Sequence, residues 1–160
     1  DGLAYKSMVE KRLFESPYDV AIGLGIDGFL PFKRGRLTCT IVNMTIYNIH
    51  PDQRYQKHNL AQIMVIPGKG KPKDLESFLA PVYEELDHLS RVGIKVVTPD
   101  HGTILAKVHL MTFIGDIPAV ADLIKHTGHM SYFGCRLCVV KGVRGLINDP
   151  LSGGMYFVGK

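Results

Sequence analysis

The sequence has 160 residues, of which 46% are hydrophobic and 21% charged, and its formal net charge is +4 at pH 7. This length suits one hydrophobic core rather than two, and the mild positive charge is compatible with a nucleic-acid partner without demonstrating one. No apolar run approaches the ~18 residues of a membrane span, and the three cysteines do not make a disulfide framework, which argues against a membrane-spanning or disulfide-stapled protein and suits a reducing compartment.

The ends of the sequence indicate a fragment. It begins with Asp1 rather than methionine and ends with Lys160 in a glycine-rich stretch. We therefore expect it to be part of a longer chain. Within it we predict a lead-in segment over 1–17, a core over 18–125 and a cysteine-containing tail over 126–160.

The first half of the sequence predicts a short helix and three strands. The helix covers 8–14 and ends before a Ser-Pro pair. The strands are rich in β-branched residues and lie at about 19–26, 37–49 and 59–66. Short connections make them an antiparallel meander.

Residues 23–28 match GxGxxG, the dinucleotide-binding fingerprint. That fingerprint requires the glycines to open a helix whose N-terminus holds the pyrophosphate. Here the sequence predicts another strand instead of a helix. A Rossmann-type oxidoreductase is therefore only a distant alternative.

The spacing of the apolar residues changes after Asp74. From there to Gly93 they recur at three- and four-residue steps, which predicts an amphipathic helix with Asp74 as its N-cap and a kink at Pro81. Strand-like runs follow at 94–97 and 104–114. Because the long helix is a crossover, it returns the strand at 104–114 parallel to strand one, which predicts an α/β fold with a mixed sheet.

Two aspartates end neighbouring strands of this predicted sheet. Asp27 follows the apolar run of strand one, and Asp116 follows the strand at 104–114 and precedes a short helix at 119–126. Carboxyl ends of parallel neighbours meet at one sheet edge, where two carboxylates repel unless divalent cations lie between them. Two such ions support phosphoryl transfer, and hence cleavage or joining of nucleic-acid strands. The alternative for Asp27 is a simple Asp-Gly turn.

Six short stretches resemble the catalytic region of the Tnp2-type transposases of CACTA (En/Spm-like) DNA transposons. They follow the family order over nearly the whole sequence: DGLAY at 1–5, GIDGFLPF at 25–32, VIPG at 65–68 with the basic residues 69–72, LAPV at 79–82 with 84–86, GDIPA at 115–119 and GCRLC at 134–138. Each is short, and their order and spacing together make the resemblance specific.

The resemblance implies an α/β, RNase H-like mixed sheet, incomplete here, with a C-terminal cysteine-containing knuckle insertion. It implies metal-dependent cleavage and transfer of transposon DNA through a DDE/D site with two Mg²⁺ or Mn²⁺ ions. Asp27 resembles the first catalytic aspartate and Asp116 the second. The third acid is expected outside this fragment, and we assign that role to neither Asp122 nor Asp149. The fragment alone is therefore expected to bind metal poorly and to be inactive.

The same resemblance implies transposon ends and target DNA as partners, a nuclear location and no membrane. The resemblance leaves open whether the protein forms a homo-oligomer on DNA. The alternative function is a domesticated, catalytically inactive relative that binds DNA or protein and keeps a zinc knuckle.

A CxxC motif is the second chemical signal. Cys135 and Cys138 have the spacing at which two thiolates share one Zn²⁺, and a closed site needs two further ligands. His126 and His129 precede the motif and are candidates. The alternatives are a pair of buried, unligated cysteines, and histidines that lie on the surface or in the core.

Two basic segments are candidates for DNA contact, because phosphate contacts need only charge and reach. The alternative for both is a solvated loop. Their cationic residues are Lys33, Arg34 and Arg36 in the first segment and Lys69, Lys71 and Lys73 in the second.

Overall fold

The computed structural model describes residues 2–32, 37–135, 137–145 and 154–157. The chain divides into two compact units, Asp1–Ile114 and Gly115–Lys160. The first unit holds the main sheet and the long helix. The three-part division predicted from the sequence stays a prediction.

The secondary structure contains both helices and strands. In chain order the elements are α1 (Leu3–Glu10), β1 (Val20–Phe29), β2 (Thr38–Ile46), α2 (Pro51–Arg54), β3 (Leu60–Gly68), α3 (Leu75–Arg91), β4 (Ile94–Thr98), β5 (Gly102–Ala106), β6 (Val108–Gly115), α4 (Ile117–Leu123), β7 (Val143–Arg144) and β8 (Met155–Tyr156). None of these helices is both long and apolar enough to cross a membrane, within the residues that the structure describes.

Four strands form the main sheet in the order β3-β2-β1-β6. The β1–β2 and β2–β3 pairs are antiparallel. Strand β6 runs parallel to β1, because contacts advance along both strands together: the Val20 N–H donates to the Lys107 carbonyl, and Gly25 lies beside the Ile114 carbonyl. The predicted mixed sheet, with a meander and a parallel fourth strand, is confirmed.

The core is centred on β1. Four consecutive residues of this strand, from Ala21 to Leu24, are buried, so both of its faces are covered. Ile22 on β1 and Val42 on β2 are each only 1% exposed. Burial of such a side chain stabilises the fold by about 1.5–3 kcal/mol.

Gly23 allows a hydrogen bond to cross over β1. The Tyr47 hydroxyl, just beyond β2, lies 2.6 Å from the Thr112 hydroxyl on β6. A Cβ atom at Gly23 would lie 2.6 Å from Tyr47 Oη and 2.7 Å from Thr112 Oγ1, distances that real Cβ contacts do not show. The first glycine of the GxGxxG match therefore serves close packing, and β1 continues through Gly28 to Phe29 without opening a helix.

The strand predicted at 104–114 is in fact two strands, and this prediction is wrong in detail. Strand β5 pairs with β4 in a separate hairpin, while β6 joins the main sheet. The break falls at Lys107, whose N–H donates to Asp19 Oδ1 and whose carbonyl accepts from Val20. Because both backbone groups of Lys107 are taken by the start of β1, the hairpin ladder ends there.

The first helix also lies earlier than predicted. It covers Leu3–Glu10 rather than 8–14. Arg12 has φ +56°, a left-handed conformation that a helix cannot contain. The helix therefore ends before Arg12, at Glu10.

The long helix is confirmed. Asp74 is the N-cap of α3 and accepts the Ser77 N–H at 3.2 Å, and Pro81 lies inside the helix. Gly93, with φ +79°, follows its C-terminus. The Tyr83 ring meets Phe113 of β6 edge-on at 6.3 Å between ring centroids, which places α3 against β6.

Candidate functional site

Asp27 leaves the core near the carboxyl end of β1. Ile26 is buried and Asp27 is exposed, so the carboxylate lies outside the apolar part of the strand. Its Oδ1 accepts the Gly28 N–H at 2.8 Å. Strand pairing continues beyond it, with Asp27 opposite Ile41 and Phe29 opposite Cys39. The alternative in which the Asp-Gly pair ends the strand in a turn is therefore wrong.

Asp116 is the residue directly after β6. It is exposed and is the N-cap of α4, where its Oδ1 accepts the Ala119 N–H at 2.7 Å. Pro118 in the first turn favours the helix start. The predicted short helix at 119–126 is confirmed, with bounds of Ile117–Leu123.

The two aspartates occupy equivalent positions on neighbouring strands. Asp27 lies in the last three residues of β1, and Asp116 follows the last residue of its parallel neighbour β6. Each carboxylate accepts one local backbone N–H through Oδ1. That local hydrogen bond orients the carboxylate and leaves the second oxygen for another ligand.

The CxxC motif forms a close thiol pair. Cys138 Sγ lies 3.3 Å from Cys135 Sγ and donates to it. The backbone N–H of Leu137 and the thiol of Cys138 hold the pKa of Cys135 below its usual value, which favours the thiolate that metals bind. Cys138 is exposed and Cys135 only partly buried, so the alternative of two buried cysteines is wrong.

The predicted histidine ligands do not complete this pair. His126 Nδ1 accepts the Gly128 N–H at 3.2 Å, and His129 is exposed. Gly134 packs closely on the 128–129 backbone: a Cβ at Gly134 would lie 2.5 Å from the Gly128 carbonyl oxygen. In the described ranges, no group of three or more His, Cys, Asp or Glu side chains could hold a metal ion.

Comparison with known proteins decides the family. The model of the transposase family tnp2 matches residues 1–159. The chain belongs to the tnp2 transposase family. Neither the curated proteins nor the solved structures contain a match to it. The tnp2 match spans both aspartates and the CxxC motif.

One of the two basic segments of this tnp2 chain lines a cavity. Lys33, Arg34 and Arg36 lie outside the described residues. The second segment follows β3, and its lysines are all exposed and line one cavity: Lys69, Lys71 and Lys73.

Among the residues that the structure describes, the most enclosed carboxylate of the tnp2 chain is Asp19, which the sequence analysis missed. Asp19 is 4% exposed. Its Oδ2 accepts the Glu15 and Ser16 N–H groups and its Oδ1 accepts the Lys107 N–H, each at 2.9 Å. Burial raises the pKa of Asp19, but these backbone donors and nearby His109 together hold it below its ordinary value. The only sequence signal was an Asp two residues after a Ser-Pro pair, immediately before a strand.

His109 on β6 is the second missed residue. It is buried, its ring meets Phe14 edge-on at 4.9 Å, and its Nε2 has no hydrogen-bond partner among the described residues. Burial lowers the pKa of His109 more than the Asp19 carboxylate raises it. Asp19 and His109 thus position β6 and the lead-in segment, and neither belongs to the exposed site.

Proposed function

We propose that this tnp2-family chain carries part of the active site of a DNA transposase that cleaves and transfers transposon strands with two Mg²⁺ or Mn²⁺ ions. The supporting observation is the position of Asp27 and Asp116 at the same end of neighbouring parallel strands. In α/β sheets, this end is where sites form.

The proposed chemistry follows from the ligands. Carboxylate oxygens are the ligands that Mg²⁺ prefers. Two ions about 3.5–4 Å apart activate the attacking oxygen and stabilise the leaving oxygen. Asp27 and Asp116 would hold these ions with a third acid, which we assign to no residue of this sequence. Asp149 lies outside the described residues.

Further parts of the proposal rest on the resemblance. They are an RNase H-like catalytic core, membership of the CACTA (En/Spm-like) group, action in the nucleus on transposon ends and target DNA, and a homo-oligomer on DNA. We also propose that Cys135 and Cys138 share a Zn²⁺ in a knuckle. The close thiol pair and the lowered pKa of Cys135 support that role.

Mn²⁺ broadening of backbone amide signals tests the aspartate pair, because it detects even weak binding. Wild-type chain titrated with Mn²⁺ should lose the signals of Gly28 and Ala119 first. Asp27→Asn and Asp116→Asn should each protect both signals. Asp100→Asn, an exposed aspartate outside the site, is the matched control and should behave as wild type.

The Gly28 and Ala119 signals also show which results would contradict a shared metal site. Broadening at only one of the two positions, or broadening unaffected by both substitutions, would mean that the aspartates share no ion. In a protein that contains the third acid, the corresponding test is Mg²⁺-dependent nicking of transposon-end DNA, which each substitution should abolish.

One observation favours a second candidate, an inactive DNA- or protein-binding module. Each aspartate already has a local role without metal, since Asp27 accepts the Gly28 N–H and Asp116 caps α4. If Mn²⁺ broadens neither region, these local roles suffice to explain both residues and the second candidate is preferred.

A further inference from the structure

A cavity of about 400 Å³ lies between the end of β3 and the start of α3. Its apolar part is formed by Ile66, Pro67 and Phe78. Ile66 is buried, whereas the Phe78 side chain is 46% exposed. The volume lies within the range of about 300–1,000 Å³ that small-ligand sites occupy.

Regular structure holds the apolar part in place. Pro67 pairs with Cys39 in the β2–β3 ladder, and the Thr38 hydroxyl donates to the Gly68 carbonyl at 3.2 Å. Phe78 lies in the first turns of α3, whose N-terminus is capped by Asp74. The apolar part of the cavity is therefore formed in the free chain.

The rest of the cavity wall is cationic. Lys69, Lys71 and Lys73 all line it, and its lining contains no acidic side chain. The acidic residue nearest in sequence is Asp74, whose Oδ1 accepts a hydrogen bond from the Ser77 N–H. Lys69 and Lys73 give this wall a positive potential that attracts anions.

The combination indicates the class of ligand. Duplex phosphates need only charge and reach, and the bases of a duplex are stacked inside it, so an apolar recess beside the lysines adds nothing to duplex binding. Single-stranded DNA presents both an exposed base and its phosphates. Proteins bind it with an aromatic side chain for stacking and a basic groove for the backbone.

We propose that this cavity binds an unpaired nucleotide of single-stranded DNA, with the base against Phe78 and the neighbouring phosphates at Lys69 and Lys73. The inference rests on the proposed function for its DNA partner. It extends that function to strands opened next to the cleavage site, and it requires no metal.

Fluorescence anisotropy with a labelled oligothymidine tests the proposal, with a duplex of the same length for comparison. EDTA and the Asp27→Asn background keep strand cleavage out of the measurement. Phe78→Ala should weaken single-strand binding about tenfold and leave duplex binding unchanged, because stacking is lost. Phe133→Ala, which removes an exposed phenylalanine that does not line the cavity, is the control.

The lysines have a different expected signature. Lys69→Ala and Lys73→Ala should each weaken binding and lower the slope of log K against log salt by about 0.7. Lys95→Ala, an exposed lysine on β4, should change neither quantity. Phe78→Tyr keeps a stacking ring and should bind the oligothymidine as tightly as wild type. This variant can still be measured if Phe78→Ala does not fold.

Three results would overturn the inference. Phe78→Ala could bind the oligothymidine as tightly as wild type, or Phe78→Ala could weaken single-strand and duplex binding equally. Alternatively, free thymidine monophosphate could compete as well as the oligonucleotide, which would indicate a nucleotide site unrelated to DNA. None of these bears on the aspartates, whose test is Mn²⁺ broadening at Gly28 and Ala119.

Discussion

Replacement of Asp19 is the sharpest test of how this fold is held together. Asp19→Ala removes the acceptor of three backbone N–H groups, those of Glu15, Ser16 and Lys107. Hydrogen bonds to a charged group are worth about 1.5–3 kcal/mol each, and the cost of burying the carboxylate offsets part of their sum. We expect a loss of about 3–5 kcal/mol in the free energy of unfolding, which is at the upper end for a single substitution.

Asp19→Asn refines the test. The amide keeps one acceptor oxygen but presents an N–H₂ group to N–H donors, so we expect a loss of about 2–3 kcal/mol. Urea unfolding followed by circular dichroism measures both variants. Asp100→Ala, an exposed aspartate, is the control and should stay within about 0.5 kcal/mol of wild type.

Acid titration adds a second readout for Asp19. Because its folded pKa is held below the ordinary 3.8, the stability that it contributes is present above that pH and is lost as pH falls further. The difference between wild type and Asp19→Asn should therefore narrow below pH 3.8. A loss under about 1 kcal/mol for Asp19→Ala at neutral pH would refute the reasoning, because three charged hydrogen bonds cannot be worth so little.

Three further predictions concern the core and the tail. Gly23→Ala should cost about 1–3 kcal/mol in urea unfolding, because the new Cβ displaces the Tyr47–Thr112 hydrogen bond; Gly28→Ala, with nothing within 4 Å, is its control. Stability should fall as pH drops below 6.5, because the unfolded chain takes up a proton that buried His109 resists, and His109→Phe should flatten that part of the stability–pH curve. Zinc analysis of purified chain should show metal that Cys135→Ser and Cys138→Ser each remove, and an unchanged zinc content would exclude the knuckle.

The sheet could be predicted because its signals are local. Apolar runs of strand length, turn residues between them and a capped amphipathic helix are all properties of short windows. The break at Lys107 could not be predicted from the sequence, because it depends on a hydrogen bond to Asp19, 88 residues away. To the sequence alone, Lys107 is one polar residue inside a long apolar run.

The sequence predicted that both aspartates lie near strand ends, but it did not predict their local contacts. Asp116 directly follows β6, where Pro118 marks the start of a helix, whereas β1 continues past Asp27 and Gly28 to Phe29. Their local hydrogen bonds and the thiol contact between Cys135 and Cys138 depend on side-chain geometry, which no spacing reveals. Gly23 was open to a dinucleotide-binding interpretation because its true neighbours, Tyr47 and Thr112, are distant in sequence.

Strand β6 is fastened to its neighbours far from the exposed aspartates. Asp19 holds the residue before the strand, and the Tyr47–Thr112 hydrogen bond holds its middle. Two fixed points along a strand forbid sliding, and a slip of one residue would turn every side chain to the opposite face. The place where β6 ends, and with it the place where Asp116 begins a helix, is therefore set by contacts before the start of the strand and at its middle. A variant library screened only around the aspartates would overlook the residues that decide where the second carboxylate stands.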